Sequence, residues 1–122
     1  MSTLKVDTIQ DRSGNNSTPT ETIASGTAKA WGLIQSNGTI SADFNIGSVN
    51  RVTTGKYTVS FSTALSSSNY AVTATVNTEL SSGTQQKNIA FHSASTSNFQ
   101  VSINNGTSFE DNDFAFVVHA LP

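Results

Sequence analysis

The sequence contains no cysteine and few charged residues, and both absences limit what the chain can do. Its 122 residues include 6 Lys and Arg, 8 Asp and Glu, and only 2 Pro. Without cysteine, disulfides, zinc–thiolate sites and thiol nucleophiles are excluded. The cations are scattered and the net charge is −2, which argues against nucleic-acid binding, since that function depends on clustered Lys and Arg.

Long apolar runs and catalytic motifs are also missing. No stretch approaches the roughly 20 apolar residues of a membrane helix, and the residues after Met1 lack the hydrophobic stretch of a signal peptide. We therefore expect no membrane insertion. The sequence has no Gly-x-Ser-x-Gly, no phosphate-binding glycine loop and no His-Glu-x-x-His. We expect no catalytic residues, no enzymatic activity and no cofactor.

Alternating apolar and polar residues dominate the chain from residue 28 onward. In the clearest example, Tyr57, Val59 and Phe61 point one way while the residues between them point the other. About eight short runs of this kind follow one another with turn residues, and no helix, between them. The pattern predicts an all-β domain over residues 28–122, an antiparallel β-sandwich of jelly-roll-like type. Asn-Gly pairs at 37–38 and 105–106 predict tight turns with positive φ at both central positions.

Two apolar sets carry more specific expectations. One strand is expected to place four apolar residues on one face: Ile40, Ala42, Phe44 and Ile46. Trp31 lies among small neighbours, which favours a ring that fills the core or packs under the N-terminal segment; the alternative is a platform for a ligand.

The last strand, residues 114–121, is apolar on both faces. A half-solvated strand alternates instead. This strand is therefore either central and covered on both sides, or its second face meets another subunit. We favour the subunit contact, because exposed apolar strands aggregate unless something covers them.

Residues 1–27 are predicted to form a short extended arm that cannot build a core of its own. Leu4, Val6 and Ile9 are its large apolar residues, in a strand-like segment that needs a partner surface, and another chain is the expected partner. Within the arm, residues 18–26 predict one helical turn. Thr18 would cap it, Glu21 would reach back to the cap, and Gly26 would end it.

The densest acidic cluster, residues 110–113, is the first candidate binding site. Calcium prefers several carboxylate and amide oxygens on one loop, but the spacing of an EF-hand is missing, which favours a solvated turn. An exposed aromatic ring beside acids can instead stack on a sugar. The candidate receptor contacts are therefore Phe109, Glu110, Asp111 and Asp113, and the candidate contact loops are 80–87 and 105–113.

The two histidines are the only candidate metal ligands of their type. His92 or His119 could meet its own copies on a threefold axis, and His119 is the better candidate because its face also carries Ala115 and Val117. A hydrogen-bonded core or interface histidine is the favoured interpretation. We therefore predict no metal site.

Three stretches resemble tail-fibre and fibre-like virion proteins of tailed phages, particularly cyanophages and other marine phages. They are STLKVDTIQDRSGNN at residues 2–16, AKAW at 28–31, and the run from FNIGSVN at 44–50 through GKYTVSF at 55–61 to SNYAV at 68–72. The N-terminal stretch is the most specific of the three, while GKYTVSF followed by a short turn and SNYAV indicates, by itself, only a β-hairpin.

The resemblance implies a homotrimer located in the virion. Residues 1–27 would attach to other phage virion proteins through Leu4, Val6 and Ile9, and the head would bind a glycan on the host surface. Two alternatives remain open. One is a capsid or tail decoration or adaptor protein without host contact, and the other is a stand-alone lectin-like module.

Overall fold

The computed structural model describes residues 2–77 and 87–122, which form ten strands and one short helix. In this part of the chain no helix is both long and apolar enough to cross a bilayer. Residues 80–86 of the candidate contact loop 80–87 lie outside the described residues. The elements are β1 (Thr8–Gln10), β2 (Ser17–Pro19), α1 (Thr20–Gly26), β3 (Ala30–Ile34), β4 (Ile40–Phe44), β5 (Ile46–Thr53), β6 (Lys56–Phe61), β7 (Tyr70–Asn77), β8 (Asn88–His92), β9 (Asn98–Asn104) and β10 (Asp113–Ala120).

Eight of these strands build two four-stranded sheets. Sheet I has the order β4-β3-β10-β7 and sheet II the order β5-β6-β9-β8. All neighbours within each sheet are antiparallel. The predicted antiparallel β-sandwich is therefore confirmed, and its eight strands in two sheets match the strand count of a jelly roll.

The core lies between the two sheets and is rich in aromatic rings. Phe99 of sheet II meets Phe116 of sheet I edge to face, with ring centroids 5.3 Å apart. Tyr57 and Phe114 make a second contact across the sheets at 4.9 Å. Such pairs add roughly 0.5–1.5 kcal/mol beyond the area that they bury. The remaining buried residues are Ala30, Ile34, Ile46, Val59, Phe61, Val101, Ile103 and Val118.

Trp31 lies outside this core, so the expectation that it fills the core was wrong. Ala30, Gly32 and Ile34 face inward on β3, and Trp31 and Leu33 face outward. The reason is the ring of Phe116: a Cβ on Gly32 would lie 2.8 Å from its Cζ atom. The inner face therefore needs the small residues, and the period of two turns the tryptophan outward.

The predicted common face of residues 40–46 was also wrong. Ile40 pairs with Ile34 and is half-buried, whereas Phe44 pairs with Trp31 and is 53% exposed. A bulge between these pairs switches the face, because an extra residue in one strand shifts the alternation. Asn45 then adopts a left-handed φ of 59°, and the chain passes into sheet II.

The Asn-Gly turns lie where they were predicted, with a different geometry. Gly38 donates to the carbonyl of Gln35 at 2.9 Å, and Gln35 donates to that of Thr39 at 2.8 Å. Only the glycine has positive φ, 91° at Gly38 and 92° at Gly106. At the first turn, Gly38 is the last residue of a three-residue loop. At the second, the Asn105 N–H donates to the Ser108 carbonyl at 3.1 Å and Gly106 is the first residue between them. Neither turn has positive φ at both central positions, so that expectation was wrong.

The N-terminal arm is partly folded. β1 and β2 form a hairpin in which Ile9 pairs with Thr18, and α1 follows directly. The predicted cap by Thr18 and Glu21 was wrong, because Thr18 lies in β2 and pairs with Ile9, and no side chain caps the helix. Thr20 begins the helix, and its hydroxyl donates to the carbonyls of Val6 and Asp7 at 3.1 Å each. The predicted helix end at Gly26 is confirmed.

The last strand, β10, lies between β3 and β7 in the middle of sheet I. Its inner face is buried, and its second face, with Ala115 and Val117, is half-buried on the outside of the sheet. The strand is central, as one of the two interpretations held, but the described residues do not cover its second face, which that interpretation also required. The contact of its second face with another subunit stays a prediction.

Candidate functional site

The loop that joins β9 to β10 carries the candidate receptor contacts. Asn105 shapes its tip, because its side-chain oxygen accepts hydrogen bonds from the backbone N–H groups of Thr107 and Ser108, both at 2.9 Å. Phe109 follows and is 46% exposed. The Lys56 ammonium lies 4.4 Å from its ring centroid, within the range of a cation–π contact.

A shallow cleft of about 250 Å³ opens beside this ring. It combines one aromatic face with amide and hydroxyl groups, and its lining residues are Asn104, Gly106, Thr107, Ser108 and Phe109. Phe109 supplies the one large apolar surface of the cleft, and Asn104, Thr107 and Ser108 supply its polar groups. The cleft is therefore suited to a ligand with both an apolar face and hydroxyls.

Asp111 accepts hydrogen bonds from three residues of one hairpin, formed by β5, β6 and the turn between them. Its carboxylate accepts from the Arg51 Nε at 2.9 Å, from the Gly55 N–H at 2.8 Å and from the Tyr57 hydroxyl at 3.2 Å. The Arg51 Nη2 makes a second contact at 2.8 Å. This network ties the loop to the turn between β5 and β6.

The network also changes the ionisation of its members. The hydrogen bond from Arg51 is the largest of the effects that lower the pKa of Asp111, with the Gly55 N–H and Tyr57 adding to it. Burial, with the nearby charge of Asp111, raises the pKa of Tyr57 to about 12. The charged carboxylate and the neutral phenol are therefore the forms that the fold stabilises.

Gly55 allows the loop to come this close. Its φ is 71°, and a Cβ there would lie 2.6 Å from the Ile103 carbonyl oxygen and 2.8 Å from the backbone of Glu110. The Ile103 N–H donates to the Gly55 carbonyl at 2.7 Å, and Glu110 donates to that of Ile103 at 3.0 Å. A glycine is required here by both conformation and space.

The two remaining acids also have partners within the chain. Glu110 accepts from the Asn105 amide and pairs with the Lys87 ammonium. Asp113 accepts from the Ser36 N–H at 2.8 Å, which joins β10 to the turn after β3. Phe109, Glu110 and Asp111 thus lie together on one loop, while Asp113 faces the neighbouring turn.

The histidines lie on different sheets. His119 is exposed on β10, opposite Ala71 and beside an open cleft of about 490 Å³ that Ser25 of α1 also lines. His92 lies on β8, with its Nδ1 3.3 Å from the Ser93 hydroxyl. Residues 2–77 and 87–122 contain no group of three or more His, Asp or Glu residues that could hold a metal ion.

The outer side of sheet I is an apolar surface. The strand register aligns two rows of side chains across it, Phe44–Trp31–Val117–Thr73 and Ala42–Leu33–Ala115–Thr75. We call these eight residues the apolar face. A groove of about 320 Å³ runs over the small residues at its centre, and Leu33 beside it is 50% exposed. No residue of the apolar face is charged.

The other sheet differs sharply on its outer side. β6 and β9 present Thr58, Ser60, Gln100 and Ser102 there. The two outer surfaces of one sandwich therefore have opposite character, and only that of sheet I is depleted of polar groups.

The three predicted assembly residues lie together on the arm, away from the candidate loop. Leu4 is 85% exposed, and Val6 and Ile9 are also exposed. Of the described chain, α1 is the part that connects this arm to the head. There Lys29 donates through its ammonium to the Ala24 carbonyl.

Sequence reasoning missed two groups of residues. The roles of Arg51 and Gly55 depend on contacts about sixty positions along the chain, for which the local pattern gives no signal. The apolar face was only half recognised, through the last strand. The alternation of Trp31 and Leu33 with smaller inward residues was the available signal for the rest.

Comparisons with known proteins leave the family undetermined. No protein-family model matches the chain, and neither the comparison with curated proteins nor that with solved structures finds a significant match. The β-sandwich is shown by the two four-stranded antiparallel sheets. The resemblance to phage fibres, and the function that it implies, stay predictions from the sequence.

Proposed function

We propose that this chain is a non-enzymatic, fibre-type structural protein of a tailed-phage virion, active as a homotrimer. Residues 1–27 would be the arm that assembles and attaches the protein, and residues 28–122 the outward head that binds a glycan on the host surface. One observation carries the proposal: the apolar side chains of Leu4, Val6 and Ile9 on the arm are exposed to solvent.

The exposed side chains of the arm favour assembly, because leaving apolar side chains in water is unfavourable in free energy. Full burial of one Leu, Ile or Val stabilises a structure by about 1.5–3 kcal/mol. The hairpin and helix hold the arm in a defined shape through backbone and side-chain hydrogen bonds. A shaped segment with exposed apolar groups is typical of an element that docks on another chain.

Host attachment is proposed for the cleft beside Phe109. The ring can stack on the apolar face of a sugar, and the hydroxyls of Thr107 and Ser108 line the same cleft. Asp111 and Asp113 accept hydrogen bonds from within the chain, so in this proposal they shape the loop and Phe109 contacts the glycan. Several copies on one particle would turn weak single contacts into firm adsorption.

Binding of the labelled full-length protein to host cells and to immobilised bacterial polysaccharides tests the attachment function. We expect Phe109→Ala to reduce binding at least tenfold. Phe91→Ala is the matched control, since Phe91 is also an exposed aromatic residue but lies on β8 of sheet II. Equal binding by both variants and the unmodified protein would refute a role for the cleft.

A decoration or adaptor protein without host contact is the second candidate. The internal partners of Glu110, Asp111 and Asp113 favour it, since they leave fewer acidic groups for a receptor. Binding to purified virions but not to cells would identify this function. A stand-alone lectin-like module would instead keep its glycan affinity after substitution of Leu4 and Val6 by Asp.

A further inference from the structure

Two apolar surfaces of this chain lie outside its core. One is the apolar face of sheet I, with a groove of about 320 Å³. The other is the start of the arm, where Leu4 and Val6 alternate with Lys5 and Asp7. Neither surface is covered by the described residues, and large apolar patches on soluble proteins mark interaction sites.

We propose that the apolar face receives residues 3–7 of the arm of a second copy of this chain, an inference that rests on the proposed self-assembly. Leu4 and Val6 of the donor copy enter the groove of the acceptor copy. Lys5 and Asp7 of the donor remain in solvent. Each copy donates one arm and receives one.

The spacing of the two surfaces matches. In an extended segment alternate side chains are about 6.7 Å apart, and the same distance separates successive outward residues of a strand. An arm that lies along the strands therefore brings Leu4 and Val6 into step with the two rows of the apolar face. The small residue Ala115 lies between Leu33 and Thr75 in its row and forms the floor of the groove there.

Charge supports the same orientation. The eight residues of the apolar face carry no charge, so they give no partner to a charged side chain, and burying an unpaired charge is costly. The donor arm meets this condition because its charged residues alternate with its apolar ones. One side of the segment is thus apolar and the other side is charged.

The area of the apolar face favours an exchange of arms between copies over direct stacking of two heads. Four strands about 4.8 Å apart and two repeats of about 6.7 Å give the apolar face a footprint of roughly 250 Å², against about 800 Å² per partner in a standard interface. Two stacked faces would fall well short of this value. Exchanged arms bury their own surface in addition, once for each copy.

The arm's own hydrogen bonds favour a second copy as the acceptor. The Thr20 hydroxyl and N–H hold the carbonyls of Val6 and Asp7 at the first residue of α1. The head follows the other end of this helix, after Gly26. With these bonds made, Val6 is exposed and no residue of the arm lines the groove of its own chain, whereas the arm of a neighbouring chain can enter that groove with the same bonds intact.

Disulfide trapping in the cysteine-free full chain tests the proposal. Tagged Val6→Cys protein is mixed with untagged Thr75→Cys protein under mild oxidation, and the mixed species is identified by its mass. Asn50→Cys, on the outer side of sheet II, replaces Thr75→Cys in the control. A disulfide requires Cα atoms within about 7 Å, so only an arm seated on the apolar face forms the first pair efficiently.

We expect at least tenfold more mixed disulfide with Thr75→Cys than with Asn50→Cys. Equal yields from the two, in a protein that light scattering shows to be oligomeric, would overturn the arm-in-groove contact and leave the proposed oligomer standing. A monomer at all concentrations would overturn both. A chain that carries Val6→Cys and Thr75→Cys together and closes an internal disulfide as a monomer would show that the arm covers its own face, which also overturns the proposal.

Discussion

Removal of the Asp111 carboxylate should destabilise the head more than its position on a loop suggests. In Asp111→Ala the Gly55 N–H loses its acceptor and Arg51 loses its ion-pair partner. Tyr57 keeps its better acceptor, because its single O–H proton is shared between the Ser36 carbonyl at 2.6 Å and Asp111 at 3.2 Å. The change therefore removes one half-buried charge-assisted bond, one weaker bond and one exposed ion pair.

The size of the effect follows from these three parts. The bond from the Gly55 N–H to a charged acceptor contributes about 1.5–3 kcal/mol, and the longer one from Tyr57 about 0.5–1 kcal/mol. The ion pair with Arg51 is largely exposed to solvent and adds little to this. We expect Asp111→Ala to lower the free energy of unfolding by about 2–4 kcal/mol, since such contributions do not add fully. For a domain of this size that corresponds to a fall in Tm of roughly 8–16 °C.

Urea denaturation at neutral pH measures this loss. Asp113→Ala is the matched control, because it removes a single bond from the Ser36 N–H. This bond is exposed, unlike the part-buried bond from Gly55, so its loss should lower the free energy of unfolding by only about 0.5–1.5 kcal/mol. Asp111→Asn keeps an acceptor for the Gly55 N–H, so its loss in the free energy of unfolding should lie between those of Asp111→Ala and Asp113→Ala. If Asp111→Ala costs no more than Asp113→Ala, the carboxylate is not the structural hub that its contacts indicate, and the loop is held in another way.

Three further predictions concern glycine and pH. Gly55→Ala should lower the free energy of unfolding, measured by urea denaturation, by at least about 3 kcal/mol, and Gly106→Ala by only about 1 kcal/mol. Both glycines have positive φ, but of the two only Gly55 lacks room for a Cβ. Equal losses would refute the packing argument. The lowered pKa of Asp111 gives stability that is present above about pH 4 and is lost as the pH falls through the folded value, so the advantage over Asp111→Asn should vanish in acid. The raised pKa of Tyr57, about 12, gives stability that is lost as the pH rises from about 10, and Tyr57→Phe should remove this loss in alkaline melts.

The fold could be predicted because most strands keep a strict period of two. Tyr57, Val59 and Phe61 of β6 alternate with polar residues, and the structure buries all three. The prediction failed where the period breaks. A bulge turns Phe44 outward, and a left-handed Asn45 moves the chain to the other sheet. Such breaks depend on pairing with distant strands and are not encoded in the local pattern.

The candidate site was only partly predictable for a related reason. Phe109 and its acidic neighbours are adjacent in sequence, so their common loop could be found. Arg51 reaches Asp111 across 60 positions, and only the tertiary fold brings them together. Trp31 was misplaced because its size was given more weight than the small residues beside it, although those residues make room for Phe116.

The solution mass of the full-length protein, measured by light scattering over a range of concentrations, tests the central claim most directly. A homotrimer has a mass three times that of the 12.8 kDa chain. If the arm assembles it, Leu4→Asp together with Val6→Asp dissociates the trimer while the head melts at an unchanged temperature. A full-length protein that stays a 12.8 kDa monomer at every concentration would contradict the account.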